Sequence, residues 1–408
     1  MTKARSFEFY LAIILTLMVC TSRLSTAFGE IVLALACVVA FVGWRRHRKA
    51  ADKGNKPYFT EEALGYNKAY CIFLVTMLPS VLFMGAIGTG FHEWFQWIWR
   101  WMPFVLILAF IHKRTYLVNM LWTFLIVFGF DCLTTLVQTL LHLGNNNRGW
   151  GFGGSQLAIA SMMCFMLPLA IVVLCDGRFE KKLKGAAWFT SISICIAFLC
   201  NKSRGSWVSN ILLVPTAMSY YIRKSKKILI PLGLVIVLFV GFFALHPQYG
   251  HRFASISNTT TDRSNADRLW GWRSSIDMYV TNPIAGVGLG EWRPQYDGDG
   301  HRHYSYKEDS QGLNHAHNNF FMMLSETGTI GFLGFLYWLG YFIFYSCRQW
   351  KKTKNPYDLI IWISMIGYVC IFGFIEFTMD LSAPTRIFWF ILGTVLALKA
   401  ADEDIEDK

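Results

Sequence analysis

Charge is scarce in this sequence. Only 16% of its 408 residues are Asp, Glu, Lys or Arg, against 54% hydrophobic, and the mean hydropathy is +0.36. A soluble domain carries about 25% charged residues, so a water-facing globule is excluded and much of the apolar surface must meet lipid. Paired cysteines are lacking as well. The ten cysteines lie almost wholly in apolar stretches, as at Cys37, Cys71, Cys132, Cys164, Cys195 and Cys370, with no CxxC spacing and no pairing within a loop. That excludes a disulfide framework or a cysteine zinc site and leaves them as small buried hydrophobes. There is no tandem repeat and no low-complexity tract. The apolar run behind Lys3 and Arg5 has no small-residue cleavage site, so it reads as an uncleaved first helix.

What the sequence does have is a succession of apolar runs near the ~20 residues that cross a bilayer. They fall at 7–22, 26–44, 67–88, 95–112, 116–142, 156–175, 185–200, 206–222, 228–246, 319–346, 357–379 and 386–400. The expected fold is an all-α integral membrane protein, a single integral domain over 1–408 with about 12 transmembrane helices. The net charge of +12 suggests nucleic acid in a soluble protein, but here the basic residues cluster just after apolar runs. With the N-terminus inside, alternate short loops hold Arg45, Arg46, Arg48 and Lys49; Lys113 and Arg114; Arg178, Lys181, Lys182 and Lys184; Arg223, Lys224, Lys226 and Lys227; and Arg348, Lys351, Lys352 and Lys354. Every such cluster lands on one side, which is the positive-inside pattern of a cytoplasmic face and not a nucleic-acid footprint.

The opposite loops are of another kind. They include 145–154, rich in Asn and Gly and carrying Arg148, the turn Asn201 to Gly205, and a large loop over 247–318. So long a connection is uncommon in a compact domain unless it has a use. Within it, Asn265 is placed to cap a short helix on which Arg268, Trp272, Ser275 and Tyr279 share a face, with Arg273 on the same helix. Such a helix lies at the membrane surface and presents Arg268, either for a ligand or as an arginine snorkelling beside an interfacial tryptophan. The run Gly286-Val-Gly-Leu-Gly290 offers amides to a phosphate, but it lacks the strand and helix of a dinucleotide site and reads better as a tight turn.

The segment His315-Ala-His317-Asn318 sits at the outer mouth of the 319–346 run, and Gly328-Thr-x-Gly331 follows about three helical turns later as a small-residue patch for close helix packing. Histidine there serves as base, ligand or hydrogen bonder. His303, His315 and His317 have no carboxylate at helical ligand spacing, so no metal is expected. Helical geometry is expected to turn His315 away from His317. Arg204, in a short outer loop, runs against the charge bias and calls for a partner, either an anionic ligand or an internal pair with Asp380 or Glu376. Arg100, Asp131, Glu326 and Glu376 lie in or near spans, where charge is costly and either functional or salt-bridged.

Three segments taken together, Ser203-Arg-Gly205, Arg268 with Trp270 through Gly286-Val-Gly288, and His317-Asn-x9-Gly-Thr-x-Gly331, resemble the O-antigen ligase and polymerase superfamily over residues 185–345. The resemblance implies a GT-C-like polytopic glycosyltransferase of the inner membrane, with the 247–318 loop, containing short helices, facing the periplasm. It implies transfer of a glycan from an undecaprenyl-diphosphate carrier to a lipid A-core sugar, inverting, with no metal or other cofactor and no nucleic acid, only membrane lipids, as further partners. On that reading His317 is the base and Arg204 and Arg268 bind the diphosphate, with Asn318, Arg273, His315 and Arg148 in support. Chemistry agrees, since guanidinium forks hold phosphate oxygens and histidine is a base near neutrality. The same resemblance admits a polymerase or a protein O-oligosaccharyltransferase. A lipid-linked oligosaccharide transporter also has many spans and outer arginines, but the lack of repeats and the concentration of polar residues in one loop argue against alternating access. A structural membrane subunit has no need of Arg and His at several outer places.

Overall fold

The computed structural model describes residues 2–50, 59–143, 148–226, 250, 262–298 and 312–406. Among these residues there is no strand, as lipid demands: a span that is not a closed barrel must satisfy its backbone within its own helix. The helices are α1 (Thr2–Ser22), α2 (Thr26–Ala50), α3 (Glu61–Thr76), α4 (Leu78–Phe83), α5 (Ile87–Phe110), α6 (Arg114–Leu140) and α7 (Gln156–Cys175). They continue as α8 (Lys181–Asn201), α9 (Arg204–Lys224), α10 (Arg263–Thr281), α11 (Trp292–Asp297), α12 (Asn319–Thr353), α13 (Pro356–Met365) and α14 (Ser382–Glu406).

Among the described residues, eight segments are long and apolar enough to cross a membrane: α2, α3 with α4, α6, α7, α8, α12, α13 with its continuation to Phe374, and α14. The protein is an all-α polytopic membrane protein. Helices α1, α5 and α9 fall short of that threshold but pack into the same bundle. The run expected to span at 228–246 lies outside the described residues.

Helices α7 and α14 form the centre of the bundle, with Ile387 to Val395 almost wholly buried. Lipid tails are as apolar as leucine, so the helices hold together by close packing and not by flight from water. Aromatic rings supply much of that packing: Tyr70 and Phe104 meet the Trp389 ring at 5.1 and 5.3 Å, and Phe73 stacks on Trp338 at 5.5 Å. Outward-facing Ile31, Val38, Val75, Phe130 and Phe344 are exposed apolar side chains on four helices. A surface of that kind is a liability in water and ordinary in lipid.

Polar contacts sort the helix ends into two groups. At one end Glu8 accepts the amides of His112 and Lys113, Arg114 pairs with Glu180 and Asp402, and Lys399 lies 2.8 Å from both Glu62 and Asp358. At the other, Arg23 pairs with Asp131 at 2.9 Å, Arg100 with Asp380 at 3.3 Å, and Arg148 Nε donates to the Asn201 carbonyl. Asp131 and Arg100, two of the charged residues expected in or near spans, are therefore each paired with an opposite charge, the arrangement that makes buried charge tolerable.

Helix α12 holds the main departure from expectation. Its 35 residues would reach about 52 Å unbroken at 1.5 Å per residue, against a hydrocarbon core of about 30 Å. Gly328, at φ 60° and ψ −162°, breaks it. The loop after α10 occupies the break: Val287 N bonds Ser325 O at 2.9 Å and Gly288 N bonds Glu326 O at 3.1 Å. In return Thr329 N bonds Pro283 O at 2.8 Å and Ile330 N bonds Ile284 O at 3.2 Å. The glycine patch expected to bring two helices together instead lets a loop approach so closely that a Cβ on Gly286 would collide with the Glu326 carbonyl.

Candidate active site

The site forms at the end opposite the basic loops, where four short pieces of chain converge: the start of α9, helix α10, the turn before α12 and the turn between α13 and α14. Helix α10 begins at Arg263, two residues before the expected cap. Asp262, and not Asn265, caps it, accepting the Asn265 amide. The face anticipated from spacing does turn inward. Arg268 Nε donates to the Ile375 carbonyl at 2.7 Å, Trp272 stacks on Phe321, Ser275 Oγ accepts the Trp292 indole at 2.8 Å, and Tyr279 meets Thr329 at 3.0 Å. Arg273 falls on the opposite, exposed side of α10. Burial lowers the pKa of Arg268 while the Glu376 carboxylate opposes that fall. An arginine starts so high that it stays charged at neutral pH.

Arg204, the first residue of α9, has neither of the internal partners expected for it. Its guanidinium forks onto Asp262, Nη1 to Oδ2 at 2.8 Å and Nη2 to Oδ1 at 3.0 Å. Gly205 beside it leaves room for Ile375 and Phe372, so α9 closes directly on the turn that Arg268 holds. Arg148 lies behind this junction and, with Asn201 donating to Gly149 O and Gln156 O, braces the α8–α9 turn.

His317 lies outside the helix. It has φ +50°, a strained value for a residue with a Cβ. Asn318 is the cap of α12: its Oδ1 accepts the amides of Phe320 and Phe321 at 2.7 and 3.0 Å, and its Nδ2 donates to Phe374 O at 2.8 Å. Asn318 therefore acts as an anchor for the α12 terminus. The expectation that His315 turns away from His317 is corrected. Residues 312–318 are not helical, and the two rings lie edge to face with centroids 4.3 Å apart.

Both rings face Glu376, whose place here was not read from the sequence. His317 Nδ1 lies 3.0 Å from Glu376 Oε1 and 3.2 Å from Oε2, and His315 Nε2 lies 3.6 Å from Oε1. Burial alone would raise the Glu376 pKa, but the hydrogen bond and charge of His317, with His315 and Arg268, outweigh it and hold the carboxyl below its ordinary value. An ionised carboxylate only accepts, so His317 Nδ1 carries a proton, and in the neutral form of the ring Nε2 is then the nitrogen with the lone pair. His315 Nδ1 accepts the His317 amide at 3.2 Å, which places the His315 proton on Nε2. Burial lowers the pKa of His315, with Glu376 opposing.

His315, His317 and Glu376 offer three donor atoms within 4.8 Å of one another, spacing that a metal ion can bridge. The donor chemistry fits poorly. A metal needs the lone pair of His315 Nε2, and the bond from the His317 amide fixes the proton on that nitrogen. His303 lies outside the described residues.

The Gly286–Gly290 run is not a phosphate cradle, since two of its amides are bonded to α12 carbonyls. Glu326, fully buried beneath it, accepts the Trp292 amide at 3.3 Å, and Glu291 accepts the Ala86 amide at 3.0 Å. Acidic residues near spans were visible as costly in the sequence; which of them meets the histidines depends on the turn after α13, which no spacing rule reaches.

No curated protein matches the chain. Residues 189–336, which run from α8 through α9, α10 and the His317 turn into α12, match the family model described as O-antigen ligase, so over this region the chain is similar to the O-antigen ligase superfamily.

Proposed function

We propose that the protein is an O-antigen ligase that moves a glycan from undecaprenyl diphosphate to a sugar of lipid A-core, on the periplasmic face of the bacterial inner membrane. One observation carries most of the weight. Arg268 and His317, 49 positions apart in the sequence, hold the two neighbouring residues of a single turn, Ile375 and Glu376. A fixed cation and a histidine with a free ring nitrogen therefore sit side by side, as a diphosphate leaving group and an attacking hydroxyl require.

In this mechanism His317 Nε2 takes the proton from the acceptor hydroxyl as its oxygen bonds to the anomeric carbon. The bond from that carbon to the diphosphate oxygen breaks, and its electron pair leaves with the lipid diphosphate. Attack opposite the leaving group inverts the anomeric centre. Arg204 and Arg268 neutralise the charge that develops on the diphosphate. The fork of Arg204 on Asp262 has the bidentate form that a phosphate would take, and the donor displaces that carboxylate on binding. The scheme uses no metal and no cofactor.

The test is made in cells and with purified protein. Deleting the gene leaves carrier-linked polymer accumulating and lipopolysaccharide without it; single repeat units on the core would identify a polymerase instead. With purified protein, His317→Ala abolishes transfer while donor binding persists. Near-normal turnover in that variant refutes the base assignment.

A further inference from the structure

We infer that Glu376 is the positioning residue of the transfer reaction, fixing through its carboxylate which nitrogen of His317 faces the acceptor and how readily that nitrogen takes a proton. The inference rests on the reading of His317 as base and goes beyond it. Glu376 is 2% exposed, on the turn between α13 and α14, in a part of the chain that follows the matched region. Its Oε1 accepts the Phe377 amide at 3.1 Å, and both oxygens lie within 3.2 Å of His317 Nδ1. The turn is held from three sides: Arg268 bonds Ile375 O, Asn318 bonds Phe374 O, and Asn319 accepts the amide of Thr378 at 2.9 Å. The carboxylate therefore has little freedom, and the imidazole bonded to it has little more.

Two consequences follow from the chemistry of the pair. The Nδ1–H bond selects the tautomer with a basic Nε2, and an imidazole in the other tautomer has no lone pair to offer the hydroxyl. The negative charge also stabilises the imidazolium formed when the hydroxyl proton arrives. Among the described residues, His315 and Arg268 also act on the Glu376 carboxylate, and Asp380 acts on His315. His315 Nε2 lies 3.6 Å from the same carboxylate.

The experiment compares purified full-length wild type, Glu376→Gln, Glu376→Asp and His317→Ala across pH. The substrates are a synthetic polyprenyl-diphosphate-linked oligosaccharide and lipid A-core, and thermal stability is followed in parallel. Removing the charge makes His317 a weaker base that stays neutral to lower pH. In Glu376→Gln the plateau of kcat is therefore expected to fall at least about 10-fold, its acid limb to move to lower pH, and KM for the donor to hold. Glu376→Asp keeps the charge, so it recovers part of the lost rate with the limb near its wild-type place. A Gln variant that matches wild type in plateau and limb overturns the inference, as does an Asp variant no better than Gln. If His317→Ala itself remains active, the base assignment fails and not merely the role of Glu376.

Discussion

Replacing Gly328 by alanine tests whether the break in α12 is built or incidental. At φ 60° and ψ −162° a side chain is already strained. Its Cβ would lie 2.5 Å from Gly286 N and from the carbonyl carbon and oxygen of Ile284. Those are backbone atoms and cannot swing aside. The loop must then leave the helix, with loss of the four backbone bonds that join 283–288 to 325–330. At about 1 kcal/mol each, these bonds amount to about 4 kcal/mol. Were the break incidental, the helix would straighten, and alanine would gain about 1 kcal/mol over glycine. The two readings predict opposite signs. Thermal unfolding of the purified protein in detergent, with transfer activity alongside, decides between them. Gly328→Ala is expected to unfold at a distinctly lower temperature and to lose activity. A variant as stable as wild type or more so, with activity intact, would falsify the account of the loop as the plug of a broken helix.

Other outcomes follow from the same geometry. Asp262→Asn keeps an effective helix cap but removes the carboxylate charge that a donor diphosphate has to displace from Arg204, so KM for the lipid diphosphate is expected to fall several-fold; a rise in KM with loss of stability would mean that the pair only docks α10. Arg268→Lys keeps charge but not the bond from Nε to Ile375 O, so donor binding partly survives while turnover drops, and equal loss in Lys and Ala variants would count against a role for charge. Stability should decline on acidification in two stages. Buried His315 resists protonation, so below its ordinary value of 6.5 the unfolded chain takes up the proton first; Glu376, held below 4.5, adds a further loss as it is protonated at still lower pH. Thermal stability of His315→Asn against pH is expected to lack the first stage. A cysteine placed at position 299 should label from outside the inner membrane, and labelling only after permeabilisation would reverse the proposed topology.

Much of the architecture was legible because lipid imposes simple rules. Apolar runs, basic loops and the inward face of Arg268, Trp272, Ser275 and Tyr279 all follow from periods and composition. The break at Gly328 was not legible in that way. The Gly-Thr-x-Gly pattern is as fitting for close helix packing as for a helix interruption, and only the partner loop distinguishes them. The mutual orientation of His315 and His317 was misjudged for a related reason. Asn318 is a strong cap, and a cap marks the boundary beyond which helical angles no longer apply. Read as a cap, Asn318 would have placed both histidines in the turn, where i and i+2 residues can face one carboxylate.

The position of the reactive groups at helix ends has a physical origin. Along an unbroken helix the backbone groups are bonded to one another, so side chains there are free to pack but the backbone is not free to bend. At the ends the backbone has unbonded donors and acceptors, and these must be met by side chains or by other ends. The site residues are therefore also the fasteners of the junction: Arg268 satisfies a carbonyl of the α13–α14 turn, Asn318 caps α12, and Glu376 accepts an amide of its own turn. Deletion to alanine removes both roles at once and cannot apportion them. Substitutions that keep one role and alter the other, Gln or Asp for Glu376, Lys for Arg268 and Asn for Asp262, separate the chemistry of the site from the closure of the fold.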